Sequence, residues 1–179
     1  MDAGMDIHYG RSHLVGAILV DPLPRLSGWP MTPTPRTTFY VHLAATLAMT
    51  GIIWFIQVVH YPLFDHVPVA AFHAYETDHT RLTTLVVIPL MLVEALTGVV
   101  LLWRRPAAVP RSLVLIGIGL LGVIWVSTAL LQVPQHLILA KGFNAAAHHV
   151  LVTSNWIRTI AWSARSLLVL QMTVKATPS

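Results

Sequence analysis

The chain has 179 residues, of which 55% are hydrophobic and only 10% are charged, and its formal net charge is +4. Soluble domains carry about 25% charged residues, so this composition excludes an ordinary soluble globule, and its apolar content excludes a disordered chain. The chain contains no cysteine, which excludes disulfides, thiolate catalysis and cysteine-ligated zinc or iron–sulfur centres. We therefore predict an all-α integral membrane protein.

Residues 1–36 differ in kind from the rest of the chain. They contain five prolines between Pro22 and Pro35, and their only apolar run, residues 14–20, is too short to cross a membrane. Met31 comes shortly before the first long apolar stretch. We predict that residues 1–36 are either a disordered tail or a mis-annotated N-terminal extension, and that residues 37–175 form the folded domain.

Four stretches are long and apolar enough to cross a hydrocarbon core about 30 Å thick, which takes about 20 residues. They cover residues 39–59, 83–103, 113–133 and 150–172. Because backbone polar groups in lipid must be satisfied within the segment, each stretch is predicted to be a helix. The short connection 104–112 contains two prolines and predicts a tight hairpin. The predicted fold is an antiparallel four-transmembrane-helix bundle, with Tyr40, Tyr61 and Trp103 at the membrane interfaces.

Basic residues beside the spans predict the orientation of the bundle. One end, side A, carries Arg36, Arg104, Arg105, Arg111 and Lys175. The opposite end, side B, carries Arg81 and Lys141 together with Asp65, Glu76 and Asp78. The excess on side A predicts a bacterial inner (plasma) membrane protein with both termini in the cytoplasm. Since the basic residues are scattered, the predicted partner is the lipid bilayer and not a nucleic acid.

Ten histidines are present, and seven of them gather at side B. These are His60, His66, His73, His79, His136, His148 and His149, of which His66, His73 and His79 are predicted to lie in the loop after the first span. Imidazole serves proteins as a metal ligand, a haem ligand and a proton carrier. The candidate metal ligands are His60, His73, Glu76, His79, His136 and His149, and Glu76-x-x-His79 has the spacing of half a di-iron site. Either no cofactor binds, or a metal ion or a haem binds at these histidines.

Placing an ionisable side chain inside a membrane span costs free energy, so the ionisable residues found there usually have a function. Glu94 lies about 17 Å beyond the start of the second span, near the midplane. On the fourth span Asn155, Arg158, Trp162 and Arg165 share one helical face. We expect this face to point into the bundle, with Glu94 paired to Arg158, to Arg165 or to both. Such a pair either fixes helix register alone or, because two arginines face one carboxylate, leaves a positive charge for a ligand.

Further polar residues of the first and third spans lie in the same outer half of the bundle as Asn155 and Arg158. They are Gln57, Ser127, Thr128 and Gln132. Together these side chains predict a polar cup that opens to side B and binds a lipophilic small molecule. The substrate-binding candidates are Glu94, Arg165, Thr128, Gln132 and Trp162.

Two motifs are similar to a family of small four-span membrane proteins that includes the anthrone oxygenases. They are Val133-Pro134 followed by Leu139, and Asn155-Trp156-Ile157-Arg158-Thr159; in the family a Val-Pro turn follows the third span and Asn-x-x-Arg-Thr lies on the fourth. The similarity covers residues 39–172 loosely and is specific at these motifs. It implies a four-span fold, oxidation of an activated phenolic carbon by O₂ without metal or flavin, and Asn155 and Arg158 as site residues. Where the family usually has Asn two residues after the proline, this chain has His136.

Three classes of function stay open from the sequence. The first is an oxygenase-type oxidoreductase acting on a lipophilic phenolic or quinone-like molecule, in which Arg158 stabilises a developing phenolate, Asn155 orients it, and His136 or His60 removes the proton. The second is a metal- or haem-binding membrane protein that uses the side B histidines. The third is a non-enzymatic accessory subunit, in a homo-oligomer or with a membrane partner, whose polar residues serve packing. We favour the first.

Overall fold

The computed structural model describes residues 34–176, and these fold almost entirely as helices. The helices are α1 Pro35–Phe55, α2 Val69–Leu101, α3 Arg111–Ser127, α4 Val133–Leu139 and α5 Ala145–Ala176. No β-strand forms between residues 34 and 176, so the all-α prediction is confirmed. Of the predicted N-terminal tail, residues 1–33 lie outside the described part of the chain.

Local sequence explains where the first helix begins. The side chain of Thr34 accepts a hydrogen bond of 3.2 Å from the backbone N–H of Thr37, and Pro35 occupies the first turn. Threonine is a preferred N-cap, and proline is tolerated in the first turn because its missing N–H has no intrahelical partner there. The helix therefore begins about four residues before the apolar stretch that reveals it in the sequence.

Two π-helical turns interrupt the α-helical geometry, and each lies just before a proline. Ile56–His60 follows α1 and precedes Pro62, and Thr128–Gln132 follows α3 and precedes Pro134. Proline lacks an N–H and its ring crowds the carbonyl four residues earlier, so a wider turn relieves both problems. The helix therefore continues through Pro134, and the turn that the family resemblance implied at Val133-Pro134 is not formed.

Three helical stretches are long and apolar enough to cross a membrane: Pro35–His66, Val69–Leu101 and Arg111–Leu139. Their outward faces carry apolar side chains that are more than half exposed, such as Phe55, Leu85, Leu96 and Leu130. Large continuous apolar surfaces are unfavourable in water and are expected where lipid covers them. These helices suit an integral membrane protein, as the composition predicts.

The second helix begins much earlier than the hydropathy predicts. The sequence places His73 and His79 in a loop, and this prediction is wrong, since α2 already begins at Val69. The first turns of α2 are polar and therefore escape a search for apolar stretches. Only Tyr61 to Pro68, which includes a short 3₁₀ turn at Pro62–His66, connects the first helical stretch to α2. The extension places Glu76 and His79 on a rigid helix.

The helices pack unevenly around the bundle. α1 packs closely against α2 and α5, and α3 packs closely against α5, whereas α2 and α3 contact each other much less. The main buried cluster includes Phe64, Phe72 and Trp162, and a second cluster around Phe39 lies at the side A end. α2 contacts α4 even less, and a groove lies between these two helices along one side of the bundle.

Gly98 on α2 lies against His42 on α1, where an added methyl group would lie 3.3 Å from His42 Cε1. The ring is held in place by Thr97 Oγ1 at 2.8 Å and by Arg165 at 3.4 Å. Overpacking a core costs about 1–3 kcal/mol, so we expect Gly98→Ala to lower the free energy of unfolding by about 1 kcal/mol or more. Gly119→Ala meets open space and is expected to be neutral or stabilising by about 0.5–1 kcal/mol. Thermal unfolding in detergent compares the two variants; equal stabilities would contradict the close packing.

Candidate functional site

A groove of about 640 Å³ lies between α2 on one side and the π-helical turn Thr128–Gln132 with α4 on the other. Its walls are mainly apolar, with Val87, Ile88, Met91 and Leu137 among the lining residues. The polar residues that line it include Tyr61, His79, Thr128, Gln132, His136 and Arg158. Apolar walls with a few convergent polar groups are typical of small-molecule sites.

Arg158 is the central charge of this groove. Its side chain is buried, and its Nε and Nη2 atoms donate hydrogen bonds to Asn155 Oδ1 at 2.8 and 2.5 Å. Nη2 also donates to Tyr61 Oη at 3.3 Å, and Nη1 to Thr128 Oγ1 at 3.4 Å. Among residues 34–176 no carboxylate pairs with Arg158, so the expected Glu94–Arg158 pair is not formed. Among these residues all hydrogen-bond partners of the guanidinium are neutral groups, so no paired carboxylate balances its positive charge.

Asn155 is itself fixed, and so it fixes Arg158. Its Nδ2 donates to Gln57 Oε1 at 2.8 Å, and Gln57 Nε2 donates to the backbone oxygen of Val152 at 3.2 Å. Thr159 Oγ1 donates to the same Gln57 oxygen at 3.4 Å. A fully bonded amide pair is a rigid support, because any rotation would leave a buried polar atom without a partner.

A chain of three side chains runs from Arg158 into the bundle. Tyr61 Oη lies 3.0 Å from His136 Nε2, and His136 Nδ1 lies 2.6 Å from Glu76 Oε1. With Nδ1–H donated to the carboxylate, Nε2 is left as the acceptor for the Tyr61 hydroxyl. Thr80 Oγ1 donates to the same Glu76 oxygen at 3.3 Å. The direction of donation is consistent throughout: the guanidinium donates to the phenol, the phenol to the imidazole and the imidazole to the carboxylate.

Tyr61 belongs to the site, although the sequence does not predict this. The sequence predicts it at the membrane interface, but it is only 3% exposed and its hydroxyl joins Arg158 to His136. A tyrosine at the end of an apolar stretch carries no signal that separates the two positions. Tyr40 and Trp103, predicted at the interface for the same reason, are 57% and 71% exposed.

Four of the six predicted metal ligands converge at the side B end of the groove. Glu76, His79 and His136 offer ligand atoms that all lie within 4.8 Å of one another. His60 Nε2 lies 2.8 Å from His79 Nδ1, so His60 contacts this group through His79. The other two predicted ligands are exposed and do not join it: His73 bonds the backbone oxygen of Ala140, and His149 lies near the start of α5.

Three predicted substrate-binding residues form a separate buried cluster nearer side A. Glu94 Oε1 lies 3.1 Å from Arg165 Nη2 and accepts from Thr46 Oγ1 at 2.6 Å, and Glu94 Oε2 accepts from Trp162 Nε1 at 2.9 Å. Arg165 also donates to the backbone oxygen of Gly117. Glu94, Trp162 and Arg165 are not among the residues that line the groove. Both oxygens of Glu94 are hydrogen-bonded, which is typical of a structural ion pair, although Arg165 Nε has no hydrogen-bond partner among the described residues.

Of the six side chains predicted to form a polar cup, three line the groove and three do not: Gln57, Ser127 and Asn155 are buried but are not among the lining residues. Ser127 Oγ donates to Gln132 Oε1 at 3.0 Å, and Gln132 Nε2 donates to Ser154 Oγ at 2.9 Å. Thr128, Gln132 and Arg158 line the groove. The groove that they line runs along the side of the bundle between α2 and α4, and its lining also includes Thr77, Arg81 and Ala140 at the side B end.

Comparison with known proteins does not identify a function for this groove. No protein-family model matches the chain, and neither a curated protein nor a solved structure matches it. Membership of the anthrone oxygenase family therefore stays a prediction. Function has to be inferred from the chemistry of the groove, since a helical bundle by itself implies no particular activity.

Proposed function

We propose that this protein is a four-span integral membrane oxidoreductase of oxygenase type, which oxidises a lipophilic phenolic or quinone-like molecule in the groove between α2 and α4. We further propose that it lies in a bacterial inner membrane, with the basic side A in the cytoplasm. α5 serves as the fourth span because its polar residues Asn155, Arg158 and Arg165 are buried in the bundle. Its outward face is apolar, with Ile160 and Leu167 64% and 70% exposed.

The unbalanced charge of Arg158 carries this proposal. A buried cation without a carboxylate partner is costly unless an anionic or carbonyl-bearing ligand reaches it. Arg158 is 6% exposed and lines the groove. A phenolate, an enolate or a quinone carbonyl would supply the missing acceptor, and the apolar walls of the groove would hold the rest of the molecule.

The side chains around Arg158 fit the removal of a proton from such a molecule. The Glu76 carboxylate orients the His136 imidazole, which accepts the proton through Tyr61 at its Nε2 atom. Arg158 and Tyr61 stabilise the negative oxygen that develops. The electron-rich carbon then reacts with O₂, and the activated methylene CH₂ becomes C=O while the second oxygen atom leaves as water. His60, the other candidate base, contacts His79 and does not line the groove.

The groove also explains how a lipophilic substrate would enter. Ile88, Val133 and Leu137 line it and are exposed on the side of the bundle, where lipid chains would lie. A molecule dissolved in the bilayer reaches Arg158 by lateral diffusion between α2 and α4. Such an entrance keeps the reacting atoms away from bulk water, which strengthens the electrostatic contacts.

Blocking the groove tests the proposal. The Ile88→Trp variant places an indole in the groove, and we expect it to lower kcat/KM for O₂ uptake at least about tenfold, or about 1.4 kcal/mol. The measurement is O₂ consumption by the full chain in lipid nanodiscs with anthrone as the activated phenolic substrate, corrected for the reaction without protein.

Leu96→Trp is the matched control, because Leu96 lies on the same helix, is 66% exposed and does not line the groove. This variant is expected to consume O₂ at the rate of the unchanged protein. Equal rates of O₂ consumption by the two tryptophan variants would show that the groove is not the site of the reaction. An uptake no faster than that without protein would overturn the oxygenase assignment for this class of substrate.

A further inference from the structure

Two helices bring a carboxylate and two imidazoles together at the side B end of the groove. Glu76 and His79 lie three residues apart on α2, which places them on one face, and His136 lies on α4. Their ligand atoms all lie within 4.8 Å of one another. Glu76 is fully buried, His79 is buried and the His136 side chain is 15% exposed. This is the residue composition of three-ligand zinc sites and of non-haem iron sites.

A second, independent observation points to a ligand at this position. Glu76 Oε1 is hydrogen-bonded, but within the described range Glu76 Oε2 is buried and has no hydrogen-bond partner. A buried carboxylate oxygen without a partner loses its hydration without replacement, which is costly. A bound cation would satisfy this oxygen.

The groups around the three ligands are those that metal sites use to orient histidines. His79 Nδ1 lies 2.8 Å from His60 Nε2 and 3.1 Å from Thr83 Oγ1, and His136 Nε2 lies 3.0 Å from Tyr61 Oη. A histidine that ligates a metal with one nitrogen usually hydrogen-bonds through the other. In His79 this leaves Nε2 for coordination. In His136 it leaves Nδ1, whose proton is donated to Glu76 Oε1 and would be displaced by the cation.

We propose that Glu76, His79 and His136 bind a divalent transition-metal cation, of the zinc or ferrous iron class, with an open coordination position toward the groove. Both histidines line the groove, so a ligand there can reach the cation. This inference goes beyond the proposed function, which uses no metal. The metal site and the proposed oxygenase reaction both use His136. A coordinated imidazole has no free lone pair with which to accept a proton. A bound cation therefore excludes the proton-accepting role of His136.

Cobalt binding tests the site directly. The full chain is purified in mild detergent, treated with a chelator, and titrated with Co²⁺ while the visible absorption of the bound cation is recorded. We expect one Co²⁺ per chain in a site of low coordination number. His79→Gln and Glu76→Gln are each expected to weaken binding by more than the 10–100-fold that losing an outer partner costs.

His66→Gln is the matched control, since His66 is an exposed side B histidine that pairs with Asp65 and lies outside the group. It is expected to bind Co²⁺ like the unchanged protein. Chromatographic profile and thermal unfolding establish that each variant is folded; if Glu76→Gln does not fold, His79→Gln decides. Binding that persists in folded His79→Gln, or that falls equally in His66→Gln, overturns the site.

Adding Zn²⁺ to the O₂ assay separates this proposal from the proposed function. Inhibition that disappears in His79→Gln supports both, since the cation then removes His136 from proton transfer. An O₂ uptake that instead requires a cation at these ligands supports the metal site and overturns the metal-free role of His136. Zn²⁺ that binds nowhere and changes nothing overturns the metal site alone.

Discussion

Replacing Arg158 with glutamine is expected to lower O₂-dependent turnover by about 10²–10³-fold, because removing one preorganised donor from a developing oxyanion costs about this much. The guanidinium donates to Tyr61 and Asn155 at the groove, and it makes no ion pair with a carboxylate among the described residues. Its loss therefore leaves no buried carboxylate behind. The bundle should stay folded, with the loss falling on catalysis.

Arg158→Lys is the matched comparison for this substitution. Lysine keeps the charge but has no planar fork, so it cannot bond Asn155 and Tyr61 as arginine does. We expect an intermediate rate. The measurement is O₂ uptake in nanodiscs together with thermal unfolding of each variant. Full activity in Arg158→Gln would remove Arg158 from the reaction, and unfolding of both variants at the temperature of the assay would show that its role is structural.

Glu94→Gln is expected to destabilise the fold by about 3–5 kcal/mol, because breaking a buried ion pair leaves one charge uncompensated. Glu94 accepts from Arg165, Thr46 and Trp162, and both members of the pair are at most 1% exposed. Glutamine has nearly the same shape, so packing is kept while the negative charge is lost. The measurement is unfolding of the detergent-solubilised protein by heat or denaturant.

The double variant Glu94→Gln/Arg165→Met is the control for this prediction. Removing both charges takes away the uncompensated cation, so the double variant should recover much of the stability that the single variant loses. Leu96→Gln, on the outward face of the same helix, should cost less than Glu94→Gln in detergent. A Glu94→Gln protein that is as stable as the unchanged chain would contradict the importance of the pair.

The period of the helix makes the polar face of α5 predictable from the sequence. Asn155, Arg158, Trp162 and Arg165 are all buried, as their shared face predicts. The choice between the two arginines is not predictable, since they bracket the depth of Glu94. Thr46 and Trp162 decide it, because both donate to the Glu94 carboxylate and place it beside Arg165.

Other parts of the site depend on tertiary packing and could not be predicted. The polar start of α2 has no hydropathy signal, so Glu76 and His79 do not appear as helical residues until the fold is known. The burial of Tyr61 depends on where the helix after α1 turns. The sideways groove exists because α2 and α4 contact each other little, which no local pattern encodes.

The two π-helical turns have a consequence for how the groove is assembled. Such a turn adds one residue to an α-helical path, so every side chain beyond it is rotated by about 100° from the face it would otherwise occupy. Tyr61 follows one of these turns and His136 follows the other, and their side chains meet at 3.0 Å. An uninterrupted α-helix through either position would direct one partner away from the other. Two single-residue register shifts, each placed beside a proline, thus bring a phenol and an imidazole from separate helices into one hydrogen-bonded chain.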